Sequence, residues 1–359
     1  MLTLREASPQ EVLGWDDMVT RFAGHRITHT QAWIRSLEAS AYGRPLYLVF
    51  EKDGRIAGCL PGLLATLGPL RLYGSPLPGW ETVSMGPVFD PAALSTGDVA
   101  TALVPFLETR YGVHHVEIVS RVLDRDAMHA LGFRGEMVPT YRAPLYPGEQ
   151  QRALHALKEN ARRNIRRAAK LGLVVEFEQD QAFVDEHYEQ LKEVYVRGGN
   201  TITFTRRRVL ECFRHMHAVG KLLAVSVYLS GERVNIATGM FTVDGRELLL
   251  WTWAHRTQYR WYRPTEIMTW TVMQKAMQAG CETFDLMGLG AFKTKFGAAP
   301  DETKDRWVRS RYPWLTQLRD WAETSHRWQR SVRGRVARLA RSRLEKRAAT
   351  AGGPNETDG

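Results

Sequence analysis

The sequence predicts an α/β (α+β) protein of two tandem units with mixed sheets, followed by a basic amphipathic helix. Three observations support this. A similar order of strand, helix and hairpin signals occurs on either side of Tyr146-Pro147-Gly148, a turn-forming triplet that interrupts the pattern. The chain has 359 residues, enough for two units that each bury a core. With 44% hydrophobic and 25% charged residues, the composition is that of an ordinary globular protein. The units are expected over residues 1–147 and 148–311, the helix over 312–347 and a disordered polar tail over 348–359.

The first unit opens with a short strand, Leu2 to Leu4, and two helical stretches, Pro9 to Phe22 and Thr30 to Ser40. Thr28 or Thr30 can cap the second, whose Trp33, Ile34 and Leu37 form an apolar stripe. Apolar runs Leu46 to Glu51 and Arg55 to Leu64 flank Lys52-Asp53-Gly54, a strong hairpin signal. The proline- and glycine-rich Gly68 to Gly86 reads as a surface loop. A helix 96–110, a strand 114–120, a helix 124–131 and a strand 140–145 close the unit.

The second unit begins with one basic helix over 149–171, then a strand 173–177 and helices 181–196 and 205–218. Strands 221–230, 233–242 and 247–253 follow, joined at Ser230-Gly231-Glu232 and Asp244-Gly245. A helix from Pro264, a residue favoured in the first turn, leads to a strand 282–287, and a strand 305–309 finishes the unit. Beyond it, Trp314, Leu318, Trp321, Ser325, Trp328, Val332, Val336 and Leu339 recur at steps of three and four. Ten arginines and one lysine lie between Arg311 and Arg347 against three acidic residues, which concentrates most of the chain's net charge of +10 there. Such a helix packs its tryptophans on the body, or touches RNA or an anionic membrane face.

No run reaches the roughly 18 apolar residues of a membrane-spanning helix. Met1 to Glu6 lacks the basic start and apolar core of a secretory signal, so a cytoplasmic chain is expected. Three scattered cysteines argue against a disulfide framework. Cys212, His215 and His217 do not converge on one helix face, and no metal site is expected.

The informative stretch is Gly280 to Gly297, GCETFDLMGLGAFKTKFG. It reads as helix stop, short strand, glycine turn at Gly288 and Gly290, and a basic-aromatic turn. Glycines there let a backbone approach a ligand closely. Lys293 and Lys295 lie about 200° apart on a helix, so at most one faces such a site; a loop with two solvated lysines fits the spacing as well. Upstream, Asn160 to Gly172 is a strongly cationic helix with Lys158, Arg162 and Arg166 on one face and Arg163, Arg167 and Lys170 beside it.

These two motifs resemble the strand–Gly–FKxxFG ending and the basic RxNIRKAxKxG helix of the Fem-like aminoacyl- and peptidyltransferases and the related CelD-like proteins. The resemblance covers roughly residues 150 to 310. It implies two tandem acetyltransferase (GNAT)-like domains, and the element order of the first unit matches that fold. It also implies an amide-forming acyl transfer: an amine attacks an activated acyl group, loses a proton, and the developing oxyanion needs donors. Lys293 occupies the FK position and is the first catalytic candidate; Lys295 is second and Asp285 third, as a proton acceptor. Gly288, Gly290, Arg162 and Arg166 are expected to bind substrate.

Acetyl-CoA enzymes of this fold hold the pyrophosphate on a glycine-rich loop at a helix start. Here that position, Trp253 to Thr265, contains no glycine. Arg256, Tyr259 and Arg260 could instead hold a phosphate or stack on a base, or turn into the core. The resemblance therefore implies an aminoacyl-tRNA donor, no resident cofactor, and an amine acceptor on a cell-wall precursor or small metabolite. An acyl-CoA-dependent enzyme acting on a sugar amine is the alternative. A non-catalytic RNA- or membrane-surface-binding module is the other.

Overall fold

The computed structural model describes residues 1–317 and 320, apart from 230, 232, 233 and 289. Its strands are β1 (Leu2–Glu6), β2 (Arg44–Lys52), β3 (Arg55–Leu67), β4 (Leu70–Ser75), β5 (Val88–Phe89), β6 (His115–Ser120), β7 (Arg134–Met137), β8 (Thr140–Pro144), β9 (Leu173–Glu178), β10 (Leu222–Leu229), β11 (Val234–Asp244), β12 (Glu247–His255), β13 (Thr283–Asp285), β14 (Ala299–Asp301) and β15 (Asp305–Ser310). The α-helices are α1 (Pro9–Leu13), α2 (Trp15–Val19), α3 (Gln31–Ala39), α4 (Thr96–Tyr111), α5 (Arg125–Ala130), α6 (Gln150–Ala156), α7 (Glu159–Lys170), α8 (Phe183–Arg197), α9 (Arg206–Ala218) and α10 (Pro264–Gln278).

The strands form two mixed sheets. One has the order β1-β2-β3-β4-β6-β15-β7, with β5 on β3; the other runs β14-β8-β13-β12-β11-β10-β9. Each contains one parallel pair, β4 with β6 and β12 with β13. Sheet membership crosses the expected boundary at 147 twice. β8, read as closing the first unit, lies against β13, and β15, read as finishing the second, lies against β6. The two exchanged strands occupy matching places, each antiparallel to the second member of its sheet's parallel pair. Side-chain fit favours the exchange. Trp307 of β15 is 1% exposed, and a Cβ on Gly135 of β7 would lie 2.7 Å from its ring.

Two further expectations are corrected. Gly68–Gly86 is not a surface loop: Leu70–Ser75 is a strand, and Tyr73, Trp80, Val83 and Met85 are buried. Glycine permits this, because a Cβ at Gly62 would meet the Tyr73 ring at 2.4–2.6 Å. The basic helix is two helices, split where buried Leu157 takes an extended conformation, and the Lys158 N–H there donates to the Lys295 carbonyl at 2.9 Å.

The sheets are joined by a continuous apolar cluster. Trp33, Ile34 and Leu37 of α3, with Trp80 and Met85, pack against Val209 and Phe213 of α9 and Trp251 of β12. Fully buried Arg208 lies over the rings of Trp33 and Trp251, at 5.2 and 5.1 Å from their centroids. Most of the expected C-terminal helix lies outside the described residues, as does the tail. Residues 313–317 are helical, with Leu315 4% exposed but Trp314 54% exposed. At its start, the buried face is therefore offset from the predicted tryptophan stripe.

Candidate active site

The site is set by a divergence of two parallel strands. β12 and β13 pair from Glu247↔Thr283 to Leu249↔Asp285 only, while β12 runs on to His255. Just past the last pair, Trp251 is an extra residue between Leu250 and Thr252, opposite Met240 and Phe241 of β11. A bulge at this point bends the strand and re-aims its side chains. Trp251 Nε1 donates to the Glu81 carbonyl at 2.8 Å, which ties the bulge to the first half.

Where β13 ends, the chain turns through two consecutive left-handed residues, Met287 (φ 51°) and Gly288 (φ 42°). A non-glycine residue in that region is uncommon and its conformation must be held by its surroundings. Two contacts hold it. The Met287 N–H donates to Asp285 Oδ1 at 2.9 Å. Lys293 Nζ, returning from the 3₁₀ turn Ala291–Phe296, donates to the Met287 carbonyl and to that of Gly288, the latter at 3.1 Å. Burial pushes the Lys293 ammonium down to about 8, opposed by the Asp285 charge. Gly290 caps the 3₁₀ turn, and the nearest neighbour to a Cβ there would be the Lys293 stem.

Lys295 points elsewhere. Its Nζ is 3.2 Å from Glu266 Oε1 and 4.5 Å from the Phe292 ring centroid. Glu266, 3% exposed, also accepts from Asn164 Nδ2 of α7 at 2.9 Å. Lys158, at the N-cap of α7, donates to Thr294 Oγ1 at 2.9 Å. The basic helix is thus fastened to the lysine-bearing turn. Arg162 donates to the His155 carbonyl at 3.1 Å, and Arg166 is exposed.

Asp285 is fully buried and does not face a substrate. Its Oδ2 accepts from Arg26 Nη2 at 2.7 Å and from Arg121 Nη2 at 3.4 Å, and its Oδ1 from Thr140 Oγ1 at 2.6 Å. Burial opposes ionisation, but the Arg26 and Lys304 charges outweigh it and hold the carboxyl down to about 2. A base so weak and enclosed cannot take up an amine proton readily. Arg256 is likewise committed, to Glu186 at 2.8 Å and to Glu193 at 3.7 Å, both on α8. Tyr259 packs beside Tyr262 against the apolar cluster between the second sheet and α10, and Arg260 is exposed over the Trp261 ring. The structure therefore brings Lys293, Gly288, Gly290 and Lys295 together with α7, and sets Arg256, Tyr259 and Arg260 along the approach to α10.

Sequence reasoning missed Arg26 and Glu266. Arg26 is 259 residues from its partner Asp285, and nothing in its neighbourhood marks it. Glu266 left a local signal, an acidic residue two positions after a helix-starting proline. Among the described residues no three His, Cys, Asp or Glu are grouped to hold a metal, and no helix is long and apolar enough to cross a membrane.

Residues 155–300 match the family of acetyltransferase (GNAT) domains. The matched stretch points to an acyltransferase. Solved structures extend the GNAT-like architecture to most of the chain. A structure of FemX is 16% identical, covers 88% of this chain and 99% of its own, and superposes with a TM-score of 0.69. A conserved protein of unknown function from Bacteroides thetaiotaomicron is 10% identical over 86% of this chain and 99% of its own, with a TM-score of 0.56. The C-terminal domain of a putative lysylphosphatidylglycerol synthetase from Agrobacterium fabrum is 14% identical over 88% and 96%, with a TM-score of 0.50. At such identities the likeness is one of fold: two tandem GNAT-like units. No curated protein sequence matches the chain.

Proposed function

We propose that this acyltransferase forms an amide by moving an aminoacyl group from aminoacyl-tRNA to an amino group of a cell-wall precursor or small metabolite. The observation that carries the reading is the link between β12 and α10. In place of a glycine-rich loop it is a 3₁₀ turn, Thr257–Tyr262, ending at Arg263 in a left-handed conformation (φ 59°). Pro264 then removes one of the N–H groups that a helix start offers an anion. Glu266 adds a buried carboxylate in the same first turn, held by Lys295 and Asn164. The name of the Agrobacterium fabrum neighbour denotes an aminoacylated phospholipid, which agrees with an aminoacyl donor.

In this reading the acyl carbonyl enters where β12 and β13 part, beside the 286–290 turn. The acceptor amine attacks the carbonyl carbon, the ester bond to the tRNA ribose breaks, and the proton lost by nitrogen ends on the departing ribose oxygen. Lys293 supplies positive charge near the developing oxyanion. The exposed Arg163, Arg166, Arg167 and Lys170 of α7 meet the RNA backbone. Such a donor implies a cytoplasmic reaction and needs no metal or resident cofactor. Titration calorimetry with acetyl-CoA is expected to show no micromolar binding, while charged tRNA supports single-turnover amide formation. Micromolar acetyl-CoA binding together with acetyl transfer to an amine would replace this reading with the acyl-CoA one.

A further inference from the structure

We propose that Arg26, from the first half, is a positioning residue for acyl transfer in the second half, acting through the buried Asp285 carboxylate on the turn that receives Lys293. The inference rests on the acyl-transfer reading above and adds to it a mechanical link between the halves. Arg26 is 6% exposed and sits just before the 3₁₀ turn Ile27–His29, far in sequence from the reacting groups. The Nε edge of its guanidinium makes two short contacts, Nε to Glu247 Oε2 and Nη2 to Asp285 Oδ2, both at 2.7 Å. One partner, Glu247, opens the paired segment on β12, and the other, Asp285, closes it on β13, at the last register position before the strands separate. Arg26 therefore bridges both ends of that short parallel pairing.

From Asp285 the contacts continue without a gap. Its second oxygen accepts the Met287 N–H, which fixes Met287 in the left-handed region. That conformation turns the Met287 and Gly288 carbonyls toward Lys293 Nζ. A rotation of the Asp285 carboxylate would release the Met287 N–H and, with it, the placement of both carbonyls. Thr140 of β8 and Arg121 at the end of β6 brace the same carboxylate. Three of the groups that set its orientation thus come from residues before 147.

The charged groups around Lys293 make the link measurable. Asp285 is the ionisable neighbour that acts on it, raising its pKa against burial. Lys295 on the same turn is paired with Glu266 of α10, and Lys158 of α7 donates to Thr294. Arg26, Arg121 and Lys304 stand around Asp285 rather than Lys293.

The test uses the full chain with two nearly isosteric or charge-keeping variants, Asp285→Asn and Arg26→Lys, and with Arg26→Gln. Trace labelling of Lys293 with acetic anhydride across pH, read by mass spectrometry, gives its titration without any substrate. Asp285→Asn is expected to move that titration to lower pH. In turnover, Arg26→Gln should lower kcat roughly three- to thirtyfold with donor KM unchanged, and Arg26→Lys should recover part of the loss. Losses of kcat that merely follow the unfolded fraction, with the Lys293 titration unmoved in Asp285→Asn, overturn the proposal. If the parent protein makes no amide from any charged tRNA or acyl-CoA, the acyl-transfer reading falls. The Lys293 titration and the exchange rate of the Met287 N–H in Arg26→Gln still decide the link itself.

Discussion

Replacing Lys293 with alanine is expected to slow single-turnover amide formation by about a hundredfold to a thousandfold, the usual loss when one preorganised donor to an oxyanion is removed. Folding should suffer much less. Lys293 is only partly buried, and its ammonium donates to two carbonyls of a turn that Asp285 also holds. Lys295→Ala should show the opposite balance. It strands the buried Glu266 carboxylate with Asn164 as its remaining partner, so it lowers the melting temperature more and the rate less. A pH profile gives a second check. The Lys293 pKa is pushed down to about 8, so the charged form dominates below that value and is lost as pH rises through it. The parent rate is therefore expected to decline on the alkaline side of about pH 8, and the Lys293→Ala rate to lack that limb. Equal single-turnover rates in Lys293→Ala and the parent would mean that the oxyanion is stabilised by other groups.

The glycine turn and its lysines were legible because their signals are local. Gly288, Gly290 and Lys293 are close in sequence and adjacent in space, and the β12–β13–turn order can be read along the chain. The strand exchange was not legible. A strand's alternation says which face is buried, not which sheet it joins, so β8 and β15 were each assigned to the nearer unit. Gly68–Gly86 misled for a related reason. Its glycines and prolines are the residues of turns, yet Gly74, like Gly62 on neighbouring β3, serves close packing of buried elements, with Leu77 2.4 Å from where a Gly74 Cβ would stand. Asp285 was legible as a strand-end carboxylate. Its burial was not, since its cationic partners Arg26 and Arg121 lie 259 and 164 residues away.

That separation makes Arg26→Ala the substitution expected to cost most in stability, about 3–5 kcal/mol. The loss comes from what is left behind. Asp285 is 0% exposed at its side chain and Glu247 17%, and both would lose their shortest ionic contact together. Arg121 at 3.4 Å is too far to replace it fully, and it is already drawn toward Asp301 and Thr303. Acid unfolding tests the same point with a definite sign. In the folded protein the Asp285 carboxyl is held down to about 2, against about 3.9 for an unfolded chain. Its contribution is thus complete above pH 4 or so and lost as pH falls through about 2. Without Arg26 the folded-state pKa rises, and acid unfolding should begin at a higher pH. Urea titrations of Arg26→Ala, Asp285→Ala and the double variant complete the argument. Once Arg26 is gone, removing Asp285 should cost far less than it does in the parent, because the buried carboxylate has already lost its shortest ionic contact. A loss under about 1 kcal/mol for Arg26→Ala, with additive effects in the double variant, would put this cluster among ordinary surface pairs. The two halves would then be held chiefly by the exchanged strands β8 and β15 and by the Trp33–Trp251–Phe213 core.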